Sequence, residues 1–298
     1  MAQNTYTVHF DTNGGRPLIP DRTRGIGETV GSEPYQQPTK TGHTFSKWIR
    51  RVNGMEQDFD ANDKLDAPGT IYYRAKWIPN PCAITWQNGS TTETVTLNYG
   101  SVLKGHFPDE PSWTGYDFLG WYTQPDGGIR TTELTQVAGD ATYYARWKIK
   151  VHTVTFKDDD VDGNVVLVKK IQHGRKIGDL PENPSKRGHT FNGWRYGSAS
   201  ITSSTQCTTD MVITPWWEGI NYGITYVTPV GEVPETPYFP RTYTIASDTI
   251  KPPNLGYPGY TFNGWTPTEI SKGSTGNRKF TASWTKNKYT LVLDYSDG

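Results

Sequence analysis

The chain has 298 residues, and its 30 Lys+Arg balance 30 Asp+Glu to zero net charge. Such a chain lacks the basic footprint that nucleic acid or an anionic membrane surface requires, so neither is expected as a partner. Abundant Gly and Pro (31 and 21), only 3 Met and 13% aromatics argue against a helical bundle and for a turn-dense β protein.

In chain order, the first element is an alternating strand with Tyr6, Val8 and Phe10 on one face, closed by the turn Asn13-Gly14-Gly15. Pro38 leads into the motif Gly42-His43-Thr44-Phe45-Ser46-Lys47-Trp48. Asp58 to Leu65 reads as a short helix or helical turn, and Tyr73, Ala75 and Trp77 form a closing strand. The series then restarts. Cys82, Ile84 and Trp86 alternate before Asn88-Gly89, and Pro111 precedes Gly115-Tyr116-Asp117-Phe118-Leu119-Gly120-Trp121. Thr131 to Val137 is a second helical turn, and Tyr143, Ala145 and Trp147 close the unit. The third round has His152, Val154 and Phe156, then Pro184, then Gly188-His189-Thr190-Phe191-Asn192-Gly193-Trp194. Its closing strand carries Ile213, Pro215 and Trp217. A proline removes a ladder donor, so this strand is expected at a sheet edge or irregular at Pro215. The fourth round runs from Tyr222, Ile224 and Tyr226 through Gly259-Tyr260-Thr261-Phe262-Asn263-Gly264-Trp265 to Phe280, Ala282 and Trp284. Tyr289, Leu291 and Leu293 begin a fifth.

The motif glycines recur at intervals of 71–73 residues. The period defines repeats over 1–79, 80–149, 150–219 and 220–286, with the start of a fifth over 287–298. Ile78 to Pro81, Lys148 to Val151, Glu218 to Asn221 and Thr285 to Lys288 are the linkers. Four residues leave little slack, and the apolar Ile78, Ile149, Val151 and Ile220 can pack against the next repeat. A 70-residue domain has a radius of gyration of roughly 11 Å, so four in an elongated rod span about 110 Å or more.

No run of about 18 apolar residues exists, so membrane insertion is not expected. Met1-Ala2-Gln3-Asn4 lacks the apolar core of an export signal, and the repeats favour a piece of a longer exported chain. Cys82 and Cys207 fall in different repeats and read as unpaired thiols.

Phe45, Trp48, Trp77, Phe118, Trp121, Trp147, Phe191, Trp194, Trp217, Phe262, Trp265 and Trp284 are assigned to structural cores. Domains this small need bulky side chains to bury enough apolar area. Aromatics outside the repeated positions are the candidates for ligand contact: Tyr35, Trp113, Tyr122, Tyr196, Trp216 and Tyr238. Asp158, Asp160, Asp162 and Gly163 mimic the start of a calcium loop, but Lys169 stands where a bidentate Glu is needed, so they read as a turn. Six histidines show no ligand spacing. No catalytic or phosphate-binding motif is present, so no catalytic residue, cofactor or metal ligand is assigned, and the chain is not expected to be an enzyme.

The composite, Y-T-V-x-F-D-x-N-G-G, then P-x-x-x-G-Y-T-F-x-G-W-Y, then Y-x-A-x-W, resembles the Listeria–Bacteroides repeat family, the B-repeats of internalin-type surface proteins. Residues 6–77 and 82–147 carry it best, and the fourth copy lacks the N-G-G turn. The resemblance implies a β-rich α+β fold of tandem small β-grasp-like (ubiquitin-like) modules, each a sheet folded over a short helix or helical turn. It also implies an exported bacterial cell-surface or wall-anchored adhesin. The expected role is a non-enzymatic extracellular stalk or spacer, with neighbouring repeats as partners. The alternatives are direct adhesion to a host protein or glycan, or accessory repeats of a secreted enzyme.

Overall fold

The computed structural model describes residues 4–160 and 162–293, and among them strands, turns and loops occur but no helix. The chain divides into two compact units, residues 1–149 and 150–298.

The first unit holds two sheets. Strands β1 (Thr5–Asp11), β2 (Arg22–Gly25), β3 (His43–Val52), β4 (Met55–Asp58) and β5 (Thr70–Pro79) form one sheet in the order β2-β1-β5-β3-β4. β1 and β5 run parallel, with Val8 beside Ile71 and Phe10 beside Tyr73, and all other pairs are antiparallel. Strands β6 (Pro81–Asn88), β7 (Thr91–Asn98), β8 (Tyr116–Tyr122) and β9 (Ala141–Ile149) repeat the plan as β7-β6-β9-β8.

The second unit repeats it twice more. β10 (Val151–Lys157), β11 (Val165–Gln172), β12 (His189–Tyr196), β13 (Ala199–Ile201) and β14 (Met211–Gly219) lie in the order β11-β10-β14-β12-β13. β15 (Tyr222–Val227), β16 (Thr242–Tyr243), β17 (Tyr260–Thr266) and β18 (Arg278–Lys286) lie as β16-β15-β18-β17. In each sheet the first and closing strands are the central parallel pair. Alternation explains the strands: in β1 Tyr6, Val8 and Phe10 are buried while their neighbours are not. Each sheet buries its own cluster, and the four clusters share no residue.

The repeated motif encodes a β-bulge. Phe45 pairs with Trp77, Lys47 with Lys76 and Trp48 with Ala75, so Ser46 is an extra residue. The same shift follows Phe118, Phe191 and Phe262. Phe and Trp three residues apart would face opposite sides of a regular strand, and the extra residue turns both to the core. Gly120, Gly193 and Gly264 take φ of +119° to +124° in this bulge, a region that suits glycine.

The structure corrects three expectations. First, the helical turns at Asp58 to Leu65 and Thr131 to Val137 are single turns and loops. Asp60 accepts from the Asn62 amide at 2.9 Å, and the Thr135 hydroxyl accepts from the Thr132 amide at 3.0 Å. Such local bonds compete with a helix. The core is covered instead by pairs of loops: the Leu103 amide donates to Thr135 O (3.1 Å), Cys207 N to Arg175 O (2.8 Å), and Ile250 and Ile270 exchange bonds of 2.9 Å. Leu103, Val137, Ile177 and the thiol-bearing Cys207 fill the core from these loops. Second, β14 is central rather than at an edge. Its pairing with β10 covers only Met211–Ile213, so Pro215 lies beyond it, opposite Trp194 of β12. Third, the strands run further than expected, leaving Asn80 alone between β5 and β6, and Ile220–Asn221 between β14 and β15. Ile78 is 55% exposed and so is not packed away. Residues 287–293, within the expected start of a fifth repeat, are in no strand, and 294–298 lie outside the described residues.

Candidate functional site

The motif tryptophans Trp48, Trp121, Trp194 and Trp265 are buried, each meeting an aromatic of the first strand: Phe10, Trp86, Phe156 and Tyr226 at 5.1–5.7 Å. Phe45, Phe118, Phe191 and Phe262 are half-buried against the closing Trp77, Trp147, Trp217 and Trp284, themselves half-buried. Three of the closing rings donate from Nε1 to the turn after the first strand, namely to Thr12 O, Asn88 Oδ1 and Thr228 Oγ1. The residue two before the motif glycine lies over the closing ring in three sheets: Lys40, Trp113 and Lys186, at 5.7–5.9 Å.

The six candidate ligand aromatics are spread over all four sheets. Tyr35 and Tyr238 are exposed on loops. Trp113 is exposed and stacks on Tyr116 at 4.0 Å. Tyr122, at the far end of β8, is half-buried under the Arg146 guanidinium at 4.1 Å. Tyr196 and Trp216 belong to the third sheet.

A groove of about 540 Å³ lies instead over β5 of the first sheet. Alternation along β5 sends Tyr72, Arg74 and Lys76 to the exposed face, and the β3–β4 hairpin adds Arg50, Arg51 and Glu56. Asn13, Lys40 and His43 complete the wall. Lys76 bonds Glu56 at 2.8 Å, Arg51 stands 3.8 Å from Glu56, and Arg74 reaches Asp11 at 3.3 Å and Asn13 at 2.7 Å. Arg50 pairs with Asp63 at 2.6 Å. The Lys76 bond holds the Glu56 carboxyl below its usual range and raises the Lys76 ammonium. At the places of Tyr72, Arg74 and Lys76 the other sheets carry Thr142, Tyr144 and Arg146; Val212, Thr214 and Trp216; and Lys279, Thr281 and Ser283. The basic lining is a property of one copy.

The acidic turn of the third sheet is held by internal cations. Asp159 pairs with Lys186 and Asp160 with Arg195, both at 2.9 Å, while Asp158 accepts from the Asn164 amide at 2.6 Å. The Lys186 bond holds the Asp159 carboxyl below its usual range. The structure also joins two histidines that spacing kept apart: His152 Nε2 lies 3.0 Å from His173 Nδ1, because the β10–β11 hairpin pairs the residues beside them. No group of three or more metal-binding side chains occurs among the described residues, nor any helix long and apolar enough to cross a membrane.

The junction inside the first unit is a built feature. The Asn80 amide donates to Gly42 O, its carbonyl accepts from Tyr99 N (both 2.9 Å), and its side chain accepts from Thr44 Oγ1 at 2.7 Å. His43 of the motif turn meets the Tyr99 ring edge-on at 5.6 Å. In the second unit Ile220 N donates to Gly188 O at 2.9 Å in the same way.

Residues 6–72, 84–146 and 152–215 match the Listeria-Bacteroides repeat domain. The chain is 30% identical over 285 residues to "Putative membrane protein" of Evansella cellulosilytica, covering 91% of this chain and 40% of that protein. It is 30% identical over 214 residues to "Putative Gly-rich membrane protein" of the same organism, covering 70% and 23%. Internalin H of Listeria monocytogenes is 33% identical over 145 residues, covering 48% of this chain and 25% of that protein. The chain thus spans well under half of each relative's length. Residues 220–286 fall outside the matched segments, yet β15 to β18 keep the strand order, the parallel pair and the bulge of the other sheets. With three matched copies covering more than half of its length, this chain belongs to the Listeria-Bacteroides repeat domain family.

Proposed function

We propose that this chain is a non-enzymatic extracellular stalk, or spacer, of a bacterial cell-surface adhesin, built as a rod of four modules with boundaries near 79/80, 149/150 and 219/220. The carrying observation is the junction at Asn80. One linker residue is tied by its own backbone to the motif turn before it and to the β7 end after it, which leaves little freedom between neighbouring modules. The membrane-protein names of the Evansella relatives and the internalin name of the third support a place at the cell surface. Each module reads as a helix-less β-grasp: the order β2-β1-β5-β3-β4, with a parallel central pair, supports that plan.

Small-angle scattering on residues 1–298 tests the stalk. The reading expects a maximum dimension of about 110 Å or more, and a value below about 80 Å would mean that modules fold back on one another. A second reading, direct adhesion, is favoured by the basic groove on a single copy, because a spacer needs no special outer surface.

A further inference from the structure

The groove over β5 is a surface for which the stalk role has no use. We propose that it binds an anionic polysaccharide, with Lys40, Arg51, Arg74 and Lys76 meeting the carboxylate or sulfate groups and Tyr72 packing against a sugar ring. The inference goes beyond the stalk reading and does not depend on it.

Charge comes first. The lining has five permanently cationic side chains and one carboxylate, Glu56. The cations are available: Arg51 and Arg74 are 75% and 63% exposed, and their carboxylate partners lie at 3.8 and 3.3 Å. Exposed pairs of this kind contribute little and exchange readily for a ligand anion. Because the chain as a whole is neutral, this surplus is local, and the same face of the other sheets does not reproduce it.

Shape comes second. Tyr72, Arg74 and Lys76 alternate along one strand, which places them about 7 Å apart in a row. That row offers an extended ligand a ring followed by two charges. Tyr72 is 65% exposed, and its ring is held edge-on by His9 at 5.4 Å, while His9 is held by Asp21 at 2.7 Å. A ring fixed in this way gives contact area at small entropic cost.

The interleaved carboxylates decide the ligand class. Asp11 and Glu56 sit among the cations. They would repel the closely spaced phosphates of a nucleic acid strand. The charged sugars of an anionic polysaccharide also carry free hydroxyls, which a DNA strand lacks, and those hydroxyls can donate to the two carboxylates. An alternating cation–carboxylate face fits such a polymer better than a uniformly charged one.

Titration calorimetry of the full chain against heparin, polygalacturonate and single-stranded poly-dT, at about 50 mM and about 300 mM salt, tests the proposal. At least one glycan is expected to bind more tightly than poly-dT, with affinity falling as salt rises. Arg51→Ser/Arg74→Ser should lose at least ten-fold in glycan affinity. Tyr72→Ala should lose several-fold at unchanged salt dependence, and Lys170→Ser on the third sheet should lose nothing. Thermal melts establish that each variant is folded, and Arg51→Gln alone serves if the double variant is not. No glycan binding, equal binding by the folded groove variants, or poly-dT bound as tightly as the tighter-binding glycan would each overturn the assignment.

Discussion

Gly42 and Gly259 open the same motif at φ +70° and +82°, but their surroundings differ. A Cβ on Gly42 would land in the Tyr99 ring of the next sheet, whereas one on Gly259 meets open space. Both alanine variants should incur the left-handed backbone cost of roughly 1–2 kcal/mol. Gly42→Ala should in addition displace Tyr99 and loosen the Asn80 junction, so urea melts should show a larger loss there, extending to the second sheet. Equal losses at the two sites would mean that the Tyr99 contact is without consequence. Trp48 is fully buried, so Trp48→Ala should cost about 3–5 kcal/mol. Half-buried Trp77 should cost less, by the same melts. The buried tyrosines set the alkaline limit. Burial first, and then the bond to Asp63, pushes the Tyr73 phenol well above its ordinary range, and burial also raises Tyr143 and Tyr226. A raised folded-state pKa gives stability that is whole below the ordinary phenol value of about 10 and is lost as pH climbs above it. Absorbance at the tyrosinate band should therefore show a late fraction that ionises only as the sheets unfold. Simple ionisation of all the tyrosines near their ordinary value, with the fold retained, would contradict this.

At the scale of the strand, the bulge makes an unusual demand. Deleting one residue from a strand normally turns the rest of it to the opposite face. Deleting Asn263 should not, because Asn263 is the unpaired residue and Phe262 and Trp265 would remain on one face of a regular strand. Deleting both Asn263 and Gly264 should instead place Trp265 next to Phe262, on the opposite face, and point it at solvent. Tryptophan emission should stay blue for the single deletion and shift red for the double one, and the opposite pattern would refute the bulge account. The same motif marks how far the sequence could be read. Alternation at Tyr6-Val8-Phe10 and Tyr73-Ala75-Trp77 revealed both strands and the face each buries, because a half-buried strand writes its period into its residues. It did not reveal that these two strands are parallel neighbours, since faces do not name partners. The short helix or helical turn expected at Asp58 to Leu65 failed because the Asp60 carboxylate accepts from both the backbone and the side-chain amide of Asn62. The groove was not legible at all: Lys40, Arg51, Glu56 and Arg74 stand on separate segments that only the sheet order brings together. His152 and His173 met for the same reason, 21 residues apart across a hairpin.

At the scale of the whole chain, the question is whether four sheets behave as four cooperative bodies. Their hydrophobic clusters have no residue in common, and every ladder closes within its own sheet. Packing and hydrogen bonding therefore give each module its own reason to fold. Coupling enters only at built contacts such as Asn80 and Tyr99 in the first unit. Unfolding enthalpy is about 0.7 kcal/mol per residue near 60 °C, so one module of roughly 70 residues should supply about 50 kcal/mol of the total. Trp265→Ala removes a ring that meets Tyr226, Phe262 and Phe280 in the fourth cluster alone. Differential calorimetry of this variant should lose or shift downward about one module's share of the heat, lower the third module through the Ile220–Gly188 bond, and leave the remainder at the parent temperature. Trp48→Ala should do the same for the first module and also lower the second, because the Asn80 junction joins them. If either variant instead moved the whole endotherm as one peak, the chain would be a single cooperative body, and a stalk assembled from independent modules would lose its energetic basis.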